Sequence, residues 1–172
     1  SQDQFADNNV QPISENLRDR EAVDLDHYLG QDAKEMLQLA AQKASELGES
    51  AIDTEHMLYV LTQNSVIQKI LHRFKLSDAD IRQHLEHNVF KQNKGEKGEK
   101  AQNAEPMMGL SPRAKAALQN AFIAAREMQN EYICPEHILI GLMQVGEGYA
   151  YEILKTYGLS PESLRQKTIK ET

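Results

Sequence analysis

The sequence predicts an all-α fold of two pseudo-symmetric four-helix repeats, about eight helices in all, and three observations predict it. First, Ile52-Asp53-Thr54-Glu55-His56-Met57-Leu58 returns as Ile133-Cys134-Pro135-Glu136-His137-Ile138-Leu139, displaced by 81 positions. Second, residues 29–61 laid over residues 110–142 without a gap share 13 of 33 positions, which marks an internal repeat. The repeat continues at an offset of 83, where Ile70-Leu71 and Leu76-Ser77 match Ile153-Leu154 and Leu159-Ser160, so copy two carries two extra residues near Gly146 to Gly148. Third, apolar residues recur at steps of three and four, and no stretch shows the two-residue alternation of a half-buried strand.

The elements follow in order. Residues 1–25 are polar, with Asn8-Asn9 and Pro12 breaking any pattern; Ile13 to Val23 has room for a short helix, and residues 1–27 read as a mobile acidic leader. From Gln31 to Leu47 the positions Ala33, Met36, Leu37, Ala40, Ala44 and Leu47 form one apolar stripe that ends at Gly48. Asp53 is an N-cap for a second helix, Thr54 to about Gln63, with Met57, Leu58 and Leu61 inward. A third runs from about Ser65 to Phe74. Ser77 caps a fourth that continues to about Asn88, its Asp78 and Asp80 lying in the first turn, where the helix dipole favours anions.

Lys91 to Gly109 contains Lys-Gly-Glu-Lys-Gly-Glu-Lys and buries too little to offset its ordering entropy, so it reads as a flexible linker. Ser111-Pro112 opens the second copy with a cap and a proline at the first helical position, and this helix extends to about Gln129. Cys134-Pro135 repeats that start for a helix to about Gln144. Another begins near Glu147, and Ser160-Pro161 opens the last, with Leu164 inward. Residues 28–90 and 110–172 are thus two repeats that form one domain.

Composition narrows the function. The chain has 172 residues, 40% of them hydrophobic, enough for an ordinary core. No run approaches the roughly 20 apolar residues of a membrane span, and the first residues lack the pattern of a signal peptide. With a single cysteine, Cys134, a reducing intracellular setting is expected. The net charge is −7, of which residues 1–28 contribute −5, so the repeats are nearly neutral and nucleic acid is not an expected partner.

Catalytic signatures are missing. There is no Gly-x-x-x-x-Gly-Lys-Ser/Thr phosphate loop, no Gly-x-Ser-x-Gly and no His-Glu-x-x-His. Cys134-x-x-His137 and the histidines His72, His84 and His87 invite a metal, yet neither set supplies four ligands, and repeat one has Asp53 where repeat two has Cys134. Surface histidines and a small buried thiol are the plainer reading, and no metal or cofactor is expected. Glu55 and Glu136 each take the second position of a helix, where the dipole and free N–H groups suffice to explain a carboxylate. His56 and His137 read as partly buried and hydrogen-bonded to the preceding loop. What a purely structural role leaves unexplained is an acid at both helix starts beside a loop, where a guanidinium or amine could be received.

The two Thr/Pro-Glu-His signatures at Thr54 to Leu58 and Pro135 to Leu139, Ser111 to Lys115, and Gly146-Glu147-Gly148 together resemble the amino-terminal repeat domain of the Clp family of AAA+ unfoldases, over about residues 28–170. The Thr-Glu-His form is most similar to the ClpC-like and ClpA-like branches. The resemblance implies a non-catalytic module of two four-helix repeats that receives adaptor proteins and substrates for a Clp protease machinery, in a bacterial cytoplasm or plastid stroma; without a ring-forming ATPase module, a monomer is the default. It also implies that Glu55 and Glu136 match glutamates that bind phosphorylated arginine. Copy two has Ser111 and Arg113 where copy one has Gly30 and Asp32, so such a site is expected to be better kept around Glu136. The acidic leader and the long connection leave a second reading, a stand-alone accessory that docks on a Clp protease core. A metal-dependent hydrolase using His72, His84 and His87 stands behind both.

Overall fold

The computed structural model describes residues 25–91 and 109–171, with side chains as far as Thr168. The leader as far as residue 24, its expected helix from Ile13 to Val23, and residues 92–108 of the connection lie outside the described residues. The first copy holds α1 (Gln31–Glu46), β1 (Ala51–Ile52), α2 (Thr54–Leu61), α3 (Ser65–Arg73) and α4 (Asp78–Leu85). The second holds β2 (Gly109–Leu110), α5 (Pro112–Glu127), α6 (Pro135–Val145), α7 (Tyr149–Thr156) and α8 (Pro161–Glu171). Helix dominates, as the apolar periodicity predicts.

Local chemistry sets the helix starts. Asp53 Oδ1 accepts from the Thr54 N–H at 2.7 Å, Ser77 Oγ from Asp80 N–H at 3.3 Å, and Ser111 Oγ from Ala114 N–H at 3.0 Å. Asn64, not anticipated as a cap, serves α3 by accepting from Val66 and Ile67. Gly48 and Gly146 end α1 and α6 at φ 77° and 78°, a region where side chains are strained.

α2 and α6 carry the two signatures and are apolar nearly all round. Met57, Leu58, Leu61, Ile138, Leu139 and Ile140 are fully buried, so these two helices sit at the centre. α2 packs against α5, α6 and α7, while α3 packs against α6 and α8. The buried apolar side chains of both copies join in one cluster. Neither copy can therefore bury its inner face without the other.

Two features depart from expectation. α4 does not stop near Asn88 but widens into a π-helical turn over Glu86–Phe90. That turn buries Val89 and Phe90 together, and the Phe90 ring stacks on His56 with centroids 5.9 Å apart. No strand was expected, yet β1 and β2 pair in parallel, Ala51 with Gly109 and Ile52 with Leu110, and Leu29 forms a bridge with Ile133. Two-residue strands are too short to show alternation, which is why periodicity misses them.

The pairing is reciprocal. Leu29 and Leu110 are equivalent positions of the two copies, as are Ile52 and Ile133, so each copy lends the segment before its first helix to the other. The hydrogen bonds repeat accordingly. Ser111 N–H donates to Ile52 O at 2.8 Å, and its counterpart Gly30 N–H donates to Ile133 O at 2.8 Å.

Candidate functional site

The crossing builds two pseudo-equivalent seams, each made from the start of one copy's first helix and the start of the other copy's second helix. At the first seam Asp53 is the hub. Its Oδ1 accepts from Thr54 N–H at 2.7 Å and from Ser111 Oγ at 2.9 Å, and its Oδ2 lies 2.9 Å from Arg113 Nη2. Burial alone would raise the Asp53 carboxyl, but the bonds from Arg113, Thr54 and Ser111 outweigh it and hold the group below its usual range.

Glu55 lies beside that hub and is handled differently. It is only 7% exposed, and its Oε1 has no hydrogen-bond partner among the described residues. Burial, then the charge of Asp53, push its carboxyl up to about 7, with its own N–H and Arg113 opposing. Thr54 Oγ1 is likewise buried and without a hydrogen-bond partner among the described residues. The loop carrying Gly148 closes over this corner: a Cβ there would lie 3.2 Å from Arg113 Cδ and 3.3 Å from Thr54 Oγ1, at a φ of 95°. Here a buried acid with one oxygen unpartnered among the described residues sits next to a cation that Asp53 already holds, an arrangement able to receive a further cationic group.

The second seam has the same backbone and different chemistry. Cys134 stands in place of Asp53, Gly30 in place of Ser111 and Asp32 in place of Arg113. Glu136 is 8% exposed, and burial, with a smaller contribution from Asp32, raises its carboxyl. The same surroundings, burial first and then Glu136 and Asp32, push the Cys134 thiol up to about 11.

The structure therefore corrects one sequence-based expectation. Ser111 and Arg113 do not support Glu136; they stand against Asp53 and the Glu55 seam, because the first helix of each copy begins at the other copy's signature. Asp53 was read only as a cap, and its role as the partner of Arg113 was missed. A signal was present: within one copy Asp32 would face Asp53 with like charge, whereas crossing places Arg113 there.

The histidines are scaffolding. His56 and His137 are 1% and 0% exposed, more deeply buried than expected. The Asp53 N–H donates to His56 Nδ1 and the Cys134 N–H to His137 Nδ1, both at 2.8 Å. On the far side of the ring, His137 Nε2 lies 3.0 Å from Asn130 Nδ2, a contact whose donor and acceptor are set by the ring tautomer. Burial lowers His137 to about 4, so it stays neutral at physiological pH. Among the described residues, no three His, Cys, Asp or Glu side chains converge as a metal site, and His84 instead meets the Tyr157 ring edge-on. Tyr132 and Tyr149 are exposed, whereas Met128 packs partly against the core.

Comparison with known proteins matches this geometry to a family. The model of the Clp repeat (R) N-terminal domain matches residues 29–155 and 109–172. The Bacillus subtilis protein described as negative regulator of genetic competence ClpC/MecB is 29% identical over 140 residues, 80% of this chain and 16% of that protein. The chloroplastic chaperone protein ClpC1 of Arabidopsis thaliana is 28% identical over 140 residues, 80% of this chain and 14% of its own length. This chain thus spans about a seventh of these relatives. Among solved structures, the Hsp104 N-terminal domain of Candida albicans superposes with a TM-score of 0.66 at 16% identity, covering 83% of this chain and 89% of that one. The N-terminal domain of ClpD from Arabidopsis thaliana gives a TM-score of 0.59 at 22% identity, covering 84% and 96%. These two show a shared fold. Among the described residues no helix is long and apolar enough to cross a membrane.

Proposed function

This chain belongs to the Clp repeat N-terminal domain family, and from that membership we propose that it receives adaptors and protein substrates for a Clp unfoldase without performing chemistry itself. Its setting on this reading is a bacterial cytoplasm or a plastid stroma. Arginine-phosphorylated side chains are its preferred ligand at the Glu55 seam. The observation that carries this reading is the buried Glu55 carboxyl, whose Oε1 has no hydrogen-bond partner among the described residues, next to the Asp53 hub that Arg113 and Ser111 bond. A guanidinium entering there would complete Glu55, while Arg113 and the Ser111 hydroxyl would exchange their bonds to Asp53 for bonds to the phosphate at the start of α5. Binding a cation favours the ionised carboxylate, so affinity should fall as pH drops below about 7, where the free carboxyl takes up its proton.

Calorimetry with free phosphoarginine tests the reading. The expected result is saturable heat that disappears in Glu55→Gln and in Arg113→Ala and persists in Glu136→Gln. An absence of heat, or heat indifferent to Glu55→Gln, would remove phosphoarginine from the account.

A further inference from the structure

The two copies end their signature helices differently. In copy one the end of α2 is closed from within: the Thr62, Gln63 and Asn64 N–H groups donate to the Leu58, Val60 and Leu61 carbonyls. Thr62 O in turn accepts from Gln68 Nε2 at 3.0 Å and from Arg82 Nη1 at 2.9 Å, and Asp78 Oδ2 holds that guanidinium at 2.8 Å. The corner between the end of α2, α3 and the start of α4 is thus filled by a cation that bridges a helix-end carbonyl and a first-turn carboxylate.

Copy two lacks this plug. Met143, Tyr151, Pro161 and Arg165 stand at the places of Thr62, Gln68, Asp78 and Arg82. Tyr151 has no amide and Pro161 no carboxylate, and Arg165 pairs instead with Glu127 Oε1 on α5, at 2.8 Å. Among the described residues no backbone N–H closes the last turn of α6, which stops at Gly146. A groove of about 530 Å³ opens at this corner, walled by Met143, Tyr151, Leu159 and Pro161, with Lys155 and Glu162 beside them. Lys155 Nζ lies 5.7 Å from the Tyr151 ring centroid, which draws its charge to the aromatic wall. Glu162, exposed in the first turn of α8, has no ion pair among the described residues.

We propose that this groove receives a guanidinium side chain of a bound polypeptide, seated as Arg82 is seated in copy one. The guanidinium donates to the carbonyl end of α6 and pairs with Glu162, and its methylene stem lies against Met143, Leu159 and Pro161. The negative end of the helix dipole and the carboxylate both favour a cation, and a planar donor fork serves the two acceptors at once. Pro161 keeps the corner open, because a carboxylate there would hold Arg165 as Asp78 holds Arg82. The groove shares no residue with the Glu55 seam, and its ligand needs no phosphate.

Amide-resolved NMR titration of the isotope-labelled chain tests this. N-acetyl-arginine amide should give saturable shifts at Met143 to Gly146, Tyr151, Lys155 and Glu162. Its uncharged isostere, N-acetyl-citrulline amide, should bind at least roughly fivefold more weakly. Glu162→Gln should weaken the arginine compound by a similar factor, and this residue is exposed, so the variant keeps the fold. Tyr151→Gln combined with Pro161→Asp rebuilds the plug of copy one, so Arg165 should turn in and the groove response should vanish from a folded chain. No saturable shift at these residues, equal affinity for the citrulline compound, or a response unchanged in Glu162→Gln would overturn the proposal. Glu55→Gln should leave the groove response as it is; shifts lost in that variant belong to the Glu55 seam and count against the groove.

Discussion

Arg113 Nη2 lies 2.9 Å from Asp53 Oδ2, which ties the first helix of the second copy to the N-cap of the first copy's signature helix, 60 positions earlier in the chain. That ion pair shows which residues share a seam. It also makes Asp53 answer to three donors at once, and so the natural place to perturb.

Asp53→Ala removes the cap of α2 together with the partner of Ser111 and Arg113. Cap loss costs about 1 kcal/mol, and the ion pair adds at most about 1 kcal/mol because its side chains are 38% and 20% exposed and screened by water. Urea unfolding should therefore show a loss of about 1–2 kcal/mol. A change below about 0.5 kcal/mol would mean the hub is not holding the seam.

Glu55 governs a pH dependence of stability. Burial pushes its folded-state carboxyl up to about 7, above the ordinary 4.5 of a glutamate, so the native state holds its proton longer than the unfolded chain. The sign follows: the contribution of this group is full below about 4.5 and is lost as pH rises through about 7. Glu55→Gln should thus gain stability over wild type as pH is raised from 4.5 to 7, by up to about 3 kcal/mol, with no further gain beyond. Chemical denaturation of both proteins across that range is the measurement. A difference independent of pH would contradict the assignment.

Gly141 lets α6 lie against α5 at a distance no side chain allows. A Cβ on it would stand 2.2 Å from the backbone oxygen of Ala117 and 3.0 Å from the Ala121 nitrogen. Backbone on both sides cannot yield as a flexible side chain can. Gly141→Ala should therefore cost about 3 kcal/mol or prevent folding, read as a lowered melting temperature or loss of soluble protein. At the equivalent position copy one carries Val60, so this close approach belongs to the α5–α6 pair alone.

Cys134 reports on the charge of its seam. With the thiol raised to about 11, the thiolate fraction at pH 8 is on the order of a hundredfold below that of an ordinary cysteine, and iodoacetamide should react correspondingly slowly. Asp32→Asn removes one of the charges that raise the thiol, so alkylation should accelerate. Equal rates in the two proteins would place Asp32 too far away to act.

Much of the fold was legible because it is written locally. Ser77 and Ser111 announce helix starts, Gly48 a stop, and Ala33, Met36, Ala40 and Ala44 a buried stripe, since each of these effects acts within a turn or two of the residue concerned. The π turn at Glu86–Phe90 was not legible, because it answers to the stacking of Phe90 on His56, 34 positions away. The short strands escaped for a related reason: their bonds run between backbone groups and demand little of the side chains.

The sequence by itself determined that there are two copies, where their helices begin, and that an acid stands at the same place in each. Only the tertiary structure decided which acid meets which partner. Repeats closed on themselves and repeats exchanging their first segments have the same local pattern, so propensity and periodicity cannot separate them. The reciprocal backbone pairing of Leu29 with Ile133 and of Ile52 with Leu110 separates them, and with it Arg113 goes to Asp53 in the Glu55 seam and Asp32 to the Glu136 seam.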